Sequence, residues 1–361
     1  MSDKLVPPYA LQRTQTVADS YSMSIGEIAN LYEANDLDIH PEFQRVFRWT
    51  LEQKSKLIES ILLGIPLPSF FVSAKYEGIW DVVDGVQRLS TIFSFLGIYK
   101  NEDNETVEKM ILSKTAQLPA LEGLTVDDIP KDILRTFKRE KINITIIKQE
   151  SDAQTKYELF QRLNTNGSSL SDQEVRNCIL IMENRDFYNR FIKLSELKCF
   201  SGTLSFTERL VDEKYDQELL SRFIVFTQNK IKNNDEVREL GSYVTNKMRL
   251  AAQSDFVQTE KKFQLVFEKL NNALGENAFR RYESGKYTGS FKLSVFEVLA
   301  LGMGQLKESD ITRLTTPQIK NISQSLASNQ VYKVNSGSGK SASNRLKKLI
   351  ELGAKLFKDA D

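Results

Sequence analysis

Histidine and cysteine are almost missing from this chain, and net charge is nearly so. The 361 residues include one histidine, His40, and two cysteines, Cys178 and Cys199. A lone histidine cannot supply a zinc-binding cluster or a histidine-metal nuclease finger. His40 precedes Pro41, which disfavours helix, so it reads as a loop or strand residue rather than a catalyst, and no Ser/His/Asp or Cys/His arrangement is expected. The cysteines have no metal-ligand spacing. Cys178 falls on the apolar side of a predicted helix with Val175, Ile179 and Met182, and both cysteines read as small core residues. Lysine plus arginine total 49 against 48 aspartate plus glutamate, a net charge of +1. Such a balance exerts no global pull toward DNA, membranes or acidic substrates, so any DNA contact would come from a local patch. The N-terminus has no apolar signal core, and no run approaches the ~18 apolar residues of a membrane span. The expectation is a soluble, cytoplasmic protein with no membrane partner.

The length is enough for two domains of ~100–200 residues each. Residues 1–22, with Pro7 and Pro8, read as a loosely held polar arm. Ser24 and Glu27 form a capping box ahead of a helix whose buried face is Ile25, Ile28, Leu31 and Tyr32, and Thr50 with Gln53 form a second one. Between these helices, LDIHPEFQRVFRW turns extended. The second helix, with core face Leu57, Ile58, Ile61 and Leu62, stops at Gly64 and Pro66. Two β-rich runs, LPSFFVSAKY and GIWDVVDG, then read as a hairpin. Residues 100–139 are charged and weakly periodic, as in short helices or an insertion. The alternation of Ile142, Ile144 and Ile146 predicts a half-buried strand over 141–149. A helix carrying Tyr157, Leu159, Phe160 and Leu163 comes next, then a polar turn at 164–167, then a helix capped by Ser171 and Glu174. From about residue 204 onward, phenylalanines and leucines at three- and four-residue steps predict helices at 208–230, 235–252, 256–282, 293–306, 317–327 and 345–357. The fold class is therefore α+β: an N-terminal domain with a small mixed sheet, residues 1–200, followed by an all-α helical bundle, residues 201–361.

The chemistry concentrates in residues 79–96, IWDVVDGVQRLSTIFSFL, which have the form of a buried strand, a tight turn and an amphipathic helix. Gly85 permits a close or left-handed turn. Gln87 and Arg88 fall in the first helical turn, where a guanidinium beside the positive end of a helix dipole favours an anion such as phosphate. Asp84 could cap the helix, hold Arg88 or help bind a metal, and an ordinary strand-to-helix turn with an exposed arginine is an equal alternative from these residues alone. Asn164, Thr165, Asn166 and Gly167, with Arg176 and Asn177 beyond them, make a second polar cluster at a helix start, compatible with a nucleotide contact or with a simple helix connection. Two tempting motifs fail. Gly339-Lys340-Ser341 lacks the glycine five residues upstream that a P-loop needs, because Val334 stands there, and no buried strand precedes it. Glu52-Gln53-Lys54 has the Glu-x-Lys spacing of some metal-dependent nucleases but lies at a capped helix start rather than on a strand.

Together these blocks resemble the N-terminal domain of GmrSD-type modification-dependent restriction enzymes, whose signature is DGQQR with a preceding FQR...W. The matching pieces are Phe43-Gln44-Arg45 with Trp49, the run SKLIESILLGIPLPSFFV, Asp84-Gly85-Val86-Gln87-Arg88-Leu89-Ser90-Thr91, and Phe160-Gln161-Arg162-Leu163-Asn164-Thr165-Asn166-Gly167. The resemblance spans roughly residues 24–185. It implies a ParB/sulfiredoxin-like fold in which the turn from Gly85 to Arg88 cradles the phosphates of a nucleoside triphosphate, with Mg2+ as cofactor, in a protein of restriction or antiphage defence. It also implies a catalytic group of Asp84, Gln87 and Arg88, with Gln44, Arg45, Gly85, Ser90, Thr91, Asn164, Asn166 and Arg176 as nucleotide contacts. Sulfiredoxin chemistry is excluded, since its catalytic cysteine would stand at Val86. Val86 also replaces the first glutamine of the signature, which makes hydrolysis less secure than binding. The chain has no histidine-based nuclease motif, so cleavage would need a partner nuclease. The alternative reading is a non-catalytic nucleotide- or DNA-binding switch or scaffold.

Overall fold

The computed structural model describes residues 18–39, 49–74, 78–101, 104–147, 171–212, 214–229, 231, 237, 239–337 and 342–360. Packing divides the chain into two compact units, residues 1–170 and 171–361. That division falls N-terminal to the 200/201 boundary expected from sequence.

The first unit is built on a five-stranded mixed sheet. Its strands are β1 (Ala18–Ser24), β2 (Leu37–Asp38), β3 (Phe70–Ala74), β4 (Trp80–Asp84) and β5 (Lys141–Ile147), in the spatial order β1-β5-β3-β4-β2. Pairing is antiparallel for β1 with β5 and for β3 with β4, and parallel for β3 with β5 and for β2 with β4. The expected hairpin is thus present as β3 and β4. Residues 18–22, expected to be part of a loose arm, are instead the edge strand β1, in register from Ala18 opposite Ile147 to Ser24 opposite Lys141. The edge position explains why a polar sequence, ADSYSMS, tolerates strand geometry: one side of its backbone is satisfied by β5.

Helices α1 (Ile25–Glu33), α2 (Leu51–Leu62), α3 (Val86–Leu96) and α4 (Lys131–Arg139) complete this unit. Both capping boxes form: Glu27 N–H donates to Ser24 Oγ while Ser24 N–H donates to Glu27 Oε2, and Thr50 and Gln53 repeat the pattern. The core joins Ile25, Ile28, Ile58, Phe70, Val72, Val82, Leu89, Ile92 and Ile144, with Tyr32 stacked on Phe93 at 4.3 Å and Phe95 edge-on to Phe137 at 5.2 Å. The weakly periodic stretch 104–130 is largely irregular, and its backbone is held by side chains of α2. Glu59 accepts from the N–H groups of Gln117 and Leu118 at 2.7 Å each, and Ser55 Oγ accepts from Ser113 N–H at 2.8 Å. Satisfying backbone in this way removes the need for a regular element there.

The second unit is mainly helical. Its longer helices are α5 (Asp172–Glu183), α6 (Arg185–Ser195), α7 (Tyr215–Gln228), α8 (Leu240–Ala251), α9 (Val257–Leu274), α10 (Thr316–Ser325) and α11 (Ala342–Lys358). The expectation of an all-α domain needs one correction. The helix expected over 256–282 ends at Leu274, and residues 281–283 and 286–288 form a two-stranded hairpin, β6 and β7. Its turn residues Ser284 and Gly285 both have positive φ, 51° and 81°, the geometry that matches strand twist in a two-residue hairpin loop. Phe200, Phe223, Phe263, Phe267, Phe279 and Phe296 form the aromatic centre of this unit.

Beside that centre lies a buried polar network. Glu218 on α7 accepts from Arg176 of α5 at 2.6 Å and from Arg222, one turn along α7, at 2.7 Å. Gln173 accepts from Arg176 and Ser221, and Asn177 donates to Gln217 at 2.6 Å. Burial raises the Glu218 carboxyl, but the two guanidiniums outweigh burial and hold it at about 2, against an ordinary 4.5. A carboxyl depressed in the folded state adds stability that is complete above pH 4.5 and lost as the pH falls through about 2. The contribution at neutral pH is about 3 kcal/mol. Glu218→Gln is therefore expected to destabilise the protein by roughly 3–5 kcal/mol near neutral pH, since two buried guanidiniums lose their carboxylate, and to flatten the acid limb of a thermal-unfolding series taken from pH 6 to pH 2. An unaltered acid limb would show that this carboxyl does not carry the linkage.

Candidate functional site

The end of β4 and the start of α3 bring together six of the residues expected at the site. Asp84 is the last residue of β4, Gly85 is the N-cap of α3, and Gln87, Arg88, Ser90 and Thr91 lie in the first turns of the helix. Opposite Asp84 the β3–β4 register shifts between Phe71 and Val72. A bulge of this kind bends a strand and re-aims its side chains. Gly85 is buried with φ at 98°, and a Cβ there would overlap the ring of Phe70 and come within 3.2 Å of Arg88 Nη2. Both backbone conformation and space therefore require glycine.

Arg88 is the centre of the arrangement. Its Nη1 donates to the carbonyl of Pro68, and its Nη2 donates to the carbonyl of Ser69 at 3.2 Å and to Asp84 Oδ2 at 3.0 Å. The guanidinium lies over the Phe70 ring, 4.3 Å from its centroid. Of the three roles open to Asp84, the structure shows the second: it holds Arg88, and its carboxylate also accepts from the backbone at Gly85. Three of the five N–H donors of a guanidinium are thus used, leaving Nε and one hydrogen of Nη1 without a partner among the described residues. Burial raises the Asp84 carboxyl despite the opposing pull of Arg88, and burial lowers the Arg88 guanidinium despite Asp84. Burial thus opposes the charged form of each partner, and their mutual attraction offsets it only in part.

No side chain caps α3, because Gly85 has none, so the helix start is bounded by backbone and by Arg88. Gln87 turns back toward the chain: its Oε1 accepts from Trp49 N–H at 3.4 Å. This bond joins Trp49, the last residue of the FQR...W block, to the first turn of α3. Ser90 and Thr91 are both buried, and their hydroxyls donate to the Gln87 carbonyl at 3.1 and 2.6 Å. Those hydroxyls are committed to the helix rather than turned toward a ligand. Val86 is also buried, so its side chain packs into the core.

Gln44, Arg45, Asn164 and Asn166 lie outside the described residues, as do His40, the helix expected around Tyr157 and Gly339-Lys340-Ser341. Arg176 belongs to the second unit. It is fully buried on α5 and bound to Glu218, Gln173 and Thr245, so in this structure it is a core residue of the helical unit. The residues missed from sequence are Phe70, Pro68 and Ser69, which supply the ring and carbonyls that seat Arg88. The proline-punctuated run GIPLPSFF placed an extended segment there, but only the β3–β4 pairing puts it beneath Gly85. Among the described residues no group of three or more His, Cys, Asp or Glu could hold a metal ion, and no helix is long and apolar enough to cross a membrane. Cys199 is unpaired, and burial raises its thiol.

Residues 25–181 match the family model described as the GmrSD restriction endonuclease, N-terminal domain. The resemblance drawn from the sequence blocks therefore holds over this stretch, and it points to a component of a restriction or antiphage-defence system. No curated protein and no solved structure gives a significant match.

Gly85→Ala is expected to destabilise the first unit by roughly 2–4 kcal/mol, combining a strained positive φ with overpacking against Phe70. Adding Phe70→Leu should recover the packing part and leave the backbone part, a coupling readable from chemical unfolding of the two single variants and the double variant. Additive effects would show that the ring does not set the glycine requirement.

Proposed function

We propose that this chain is a nucleoside triphosphate-binding regulatory component of a restriction or antiphage-defence system, with the turn from Gly85 to Arg88 as its phosphate site. The observation that carries the reading is the uncapped start of α3 behind a glycine that admits no side chain, with a seated guanidinium beside it. Backbone N–H groups at a helix start and an oriented arginine are the elements that bind a phosphate. In this reading the remaining donors of Arg88 meet the phosphate, Asp84 fixes Arg88, and Gln87 positions the segment entering at Trp49. The family resemblance assigns Gln44, Arg45, Asn164 and Asn166 as further nucleotide contacts. Within the first unit, the mixed sheet with its glycine turn at the end of β4 supports the ParB/sulfiredoxin-like assignment.

Mg2+ would enter with the triphosphate, held chiefly by phosphate oxygens, as this ion commonly is. Asp84 is the one carboxylate of the turn, and it is already paired with Arg88. The ion would supply charge neutralisation on the phosphates. The nuclease step would fall to a partner protein. Binding without turnover is the better-supported form of the proposal, because the Ser90 and Thr91 hydroxyls are tied to the Gln87 carbonyl and most of the Arg88 donors are spent on positioning.

The test is calorimetric titration of the full chain with ATP, GTP, CTP and UTP in the presence of Mg2+, paired with phosphate-release measurements. The expected result is saturable binding of at least one triphosphate, weakened tenfold or more by Arg88→Lys, which keeps the charge but cannot reproduce the fork that grips two carbonyls and Asp84. Retained melting behaviour confirms that the variant is folded. Binding with negligible phosphate release identifies a switch, and release that Arg88→Lys abolishes identifies a hydrolase. Absence of binding by the wild-type chain overturns the proposal.

A further inference from the structure

Helix α4 has an unusual balance of burial and charge. Of its nine residues, KDILRTFKR, only Phe137 is buried, and that ring anchors the helix against Phe95. Four residues are cations: Lys131, Arg135, Lys138 and Arg139. Elsewhere in this unit Lys109 pairs with Asp127 and Arg88 with Asp84, whereas no carboxylate among the described residues lies within ion-pair distance of any cation of α4. Lys131, Arg135 and Lys138, with Leu134, line an open groove of ≈ 380 Å³. At ~100° per residue these three cations fall within an arc of roughly 60° on the helix, while Asp132, its only acid, points about 100° from Lys131. The Nε of Arg135 donates to the Lys131 carbonyl at 3.1 Å, which lays the guanidinium along that face.

We propose that this face of α4 docks the phosphate backbone of duplex DNA. Lys131 and Lys138 are seven residues apart, about 10 Å along the helix, and one strand of a duplex presents a phosphate every ~3.4 Å of its axis, so the three cations match about three phosphates. Among the described residues that line the groove there is no aromatic ring, and Phe137 is buried, so this described lining offers no base-stacking platform of the kind that retains single strands. A chain of net charge +1 exerts no general attraction on a polyanion, so contact has to be local, and this groove is a local cationic surface whose charges are unspent. The contact is with backbone, so it positions the protein on DNA and reads no sequence. The choice of DNA over RNA rests on the restriction-system reading of the chain. The groove itself is independent of the turn from Gly85 to Arg88.

The test is fluorescence anisotropy of a labelled mixed-sequence 25-base-pair DNA duplex with the full chain between 50 and 200 mM salt. The expected slope of log affinity against log salt is about −2.7, from three neutralised phosphates. Each of Lys131→Ala, Arg135→Ala and Lys138→Ala should weaken binding roughly three- to tenfold and reduce the slope by about one. Melting behaviour should be unaltered, since these side chains are exposed. The double variant Lys355→Ala/Lys358→Ala, which removes two lysines from the last turn of α11, is the charge control and should leave binding in place. Absence of duplex binding overturns the proposal, as does binding that the triple α4 variant leaves unchanged or that the α11 control weakens equally. Tighter binding of single-stranded DNA or of duplex RNA through the same residues overturns the duplex-DNA assignment. The Arg88→Lys protein should still bind the duplex and the triple α4 variant should still bind triphosphate, so failure of the nucleotide site and failure of this surface are told apart.

Discussion

A guanidinium stacked on one ring and tied to two main-chain carbonyls fixes the geometry where the sheet of the first unit meets its central helix. Arg88 contacts the segment entering β3 through Pro68 and Ser69, the end of β4 through Asp84, and the core through Phe70. It does so from α3, so one side chain joins three elements. The requirement propagates backward into sequence: Gly85 must be glycine because the ring that supports Arg88 occupies the place of its Cβ. The register shift beside it places the extra residue, Val83, on β4 directly before Asp84, where a bulge can re-aim the strand end.

The ion pairs of the two units, part-buried at Asp84 and buried at Glu218, show opposite electrostatics from the same chemical groups. Glu218 is gripped by two arginines, which outweigh its burial and favour its charged form strongly, the signature of a compensated core network. Asp84 and Arg88 face each other at a comparable separation, yet burial moves each toward its neutral form. One arginine against one carboxylate does not repay the loss of water, whereas two arginines around one carboxylate do. The contrast separates the turn, where charge is held at a cost, from the helical core, where charge contributes to stability. It also accounts for Arg176. Arginine near a polar turn suggests a ligand contact in the sequence, but its partner Glu218 lies 42 residues away, and only folding reveals the commitment.

Short-range chemistry decides which features were legible in the sequence. The capping boxes at Ser24, Thr50 and Ser171, the strand-to-helix turn at Gly85 and the alternating strand with Ile142, Ile144 and Ile146 are local features, and each forms where the residues indicate. Strand β1 could not be read in this way. Its polar residues have no apolar periodicity, and its strand conformation comes from pairing with β5, more than a hundred residues later. The β6–β7 hairpin carried a readable signal in Ser284 and Gly285, but the helical periodicity of α9 was extended through Gly275, where the helix stops. Phe70 was visible as a strand residue, while its function as the support for Arg88 depends on strand order, which periodicity does not encode.

The extent of family similarity and the extent of packing do not coincide, and the reason is physical. Similarity runs to residue 181, whereas the packing division falls after residue 170. The intervening residues open α5, and that helix faces α7 and α8: Gln173, Arg176 and Asn177 are buried against Gln217, Glu218 and Thr245. A compact unit ends where side chains find their partners, and those of α5 find them in the helical unit. Residues 171–181 therefore belong by sequence to the matched domain and by energetics to the helical unit. The polar network that includes Arg176 is built partly from inside the matched stretch and partly from beyond it, so the match by itself does not delimit an independently stable body.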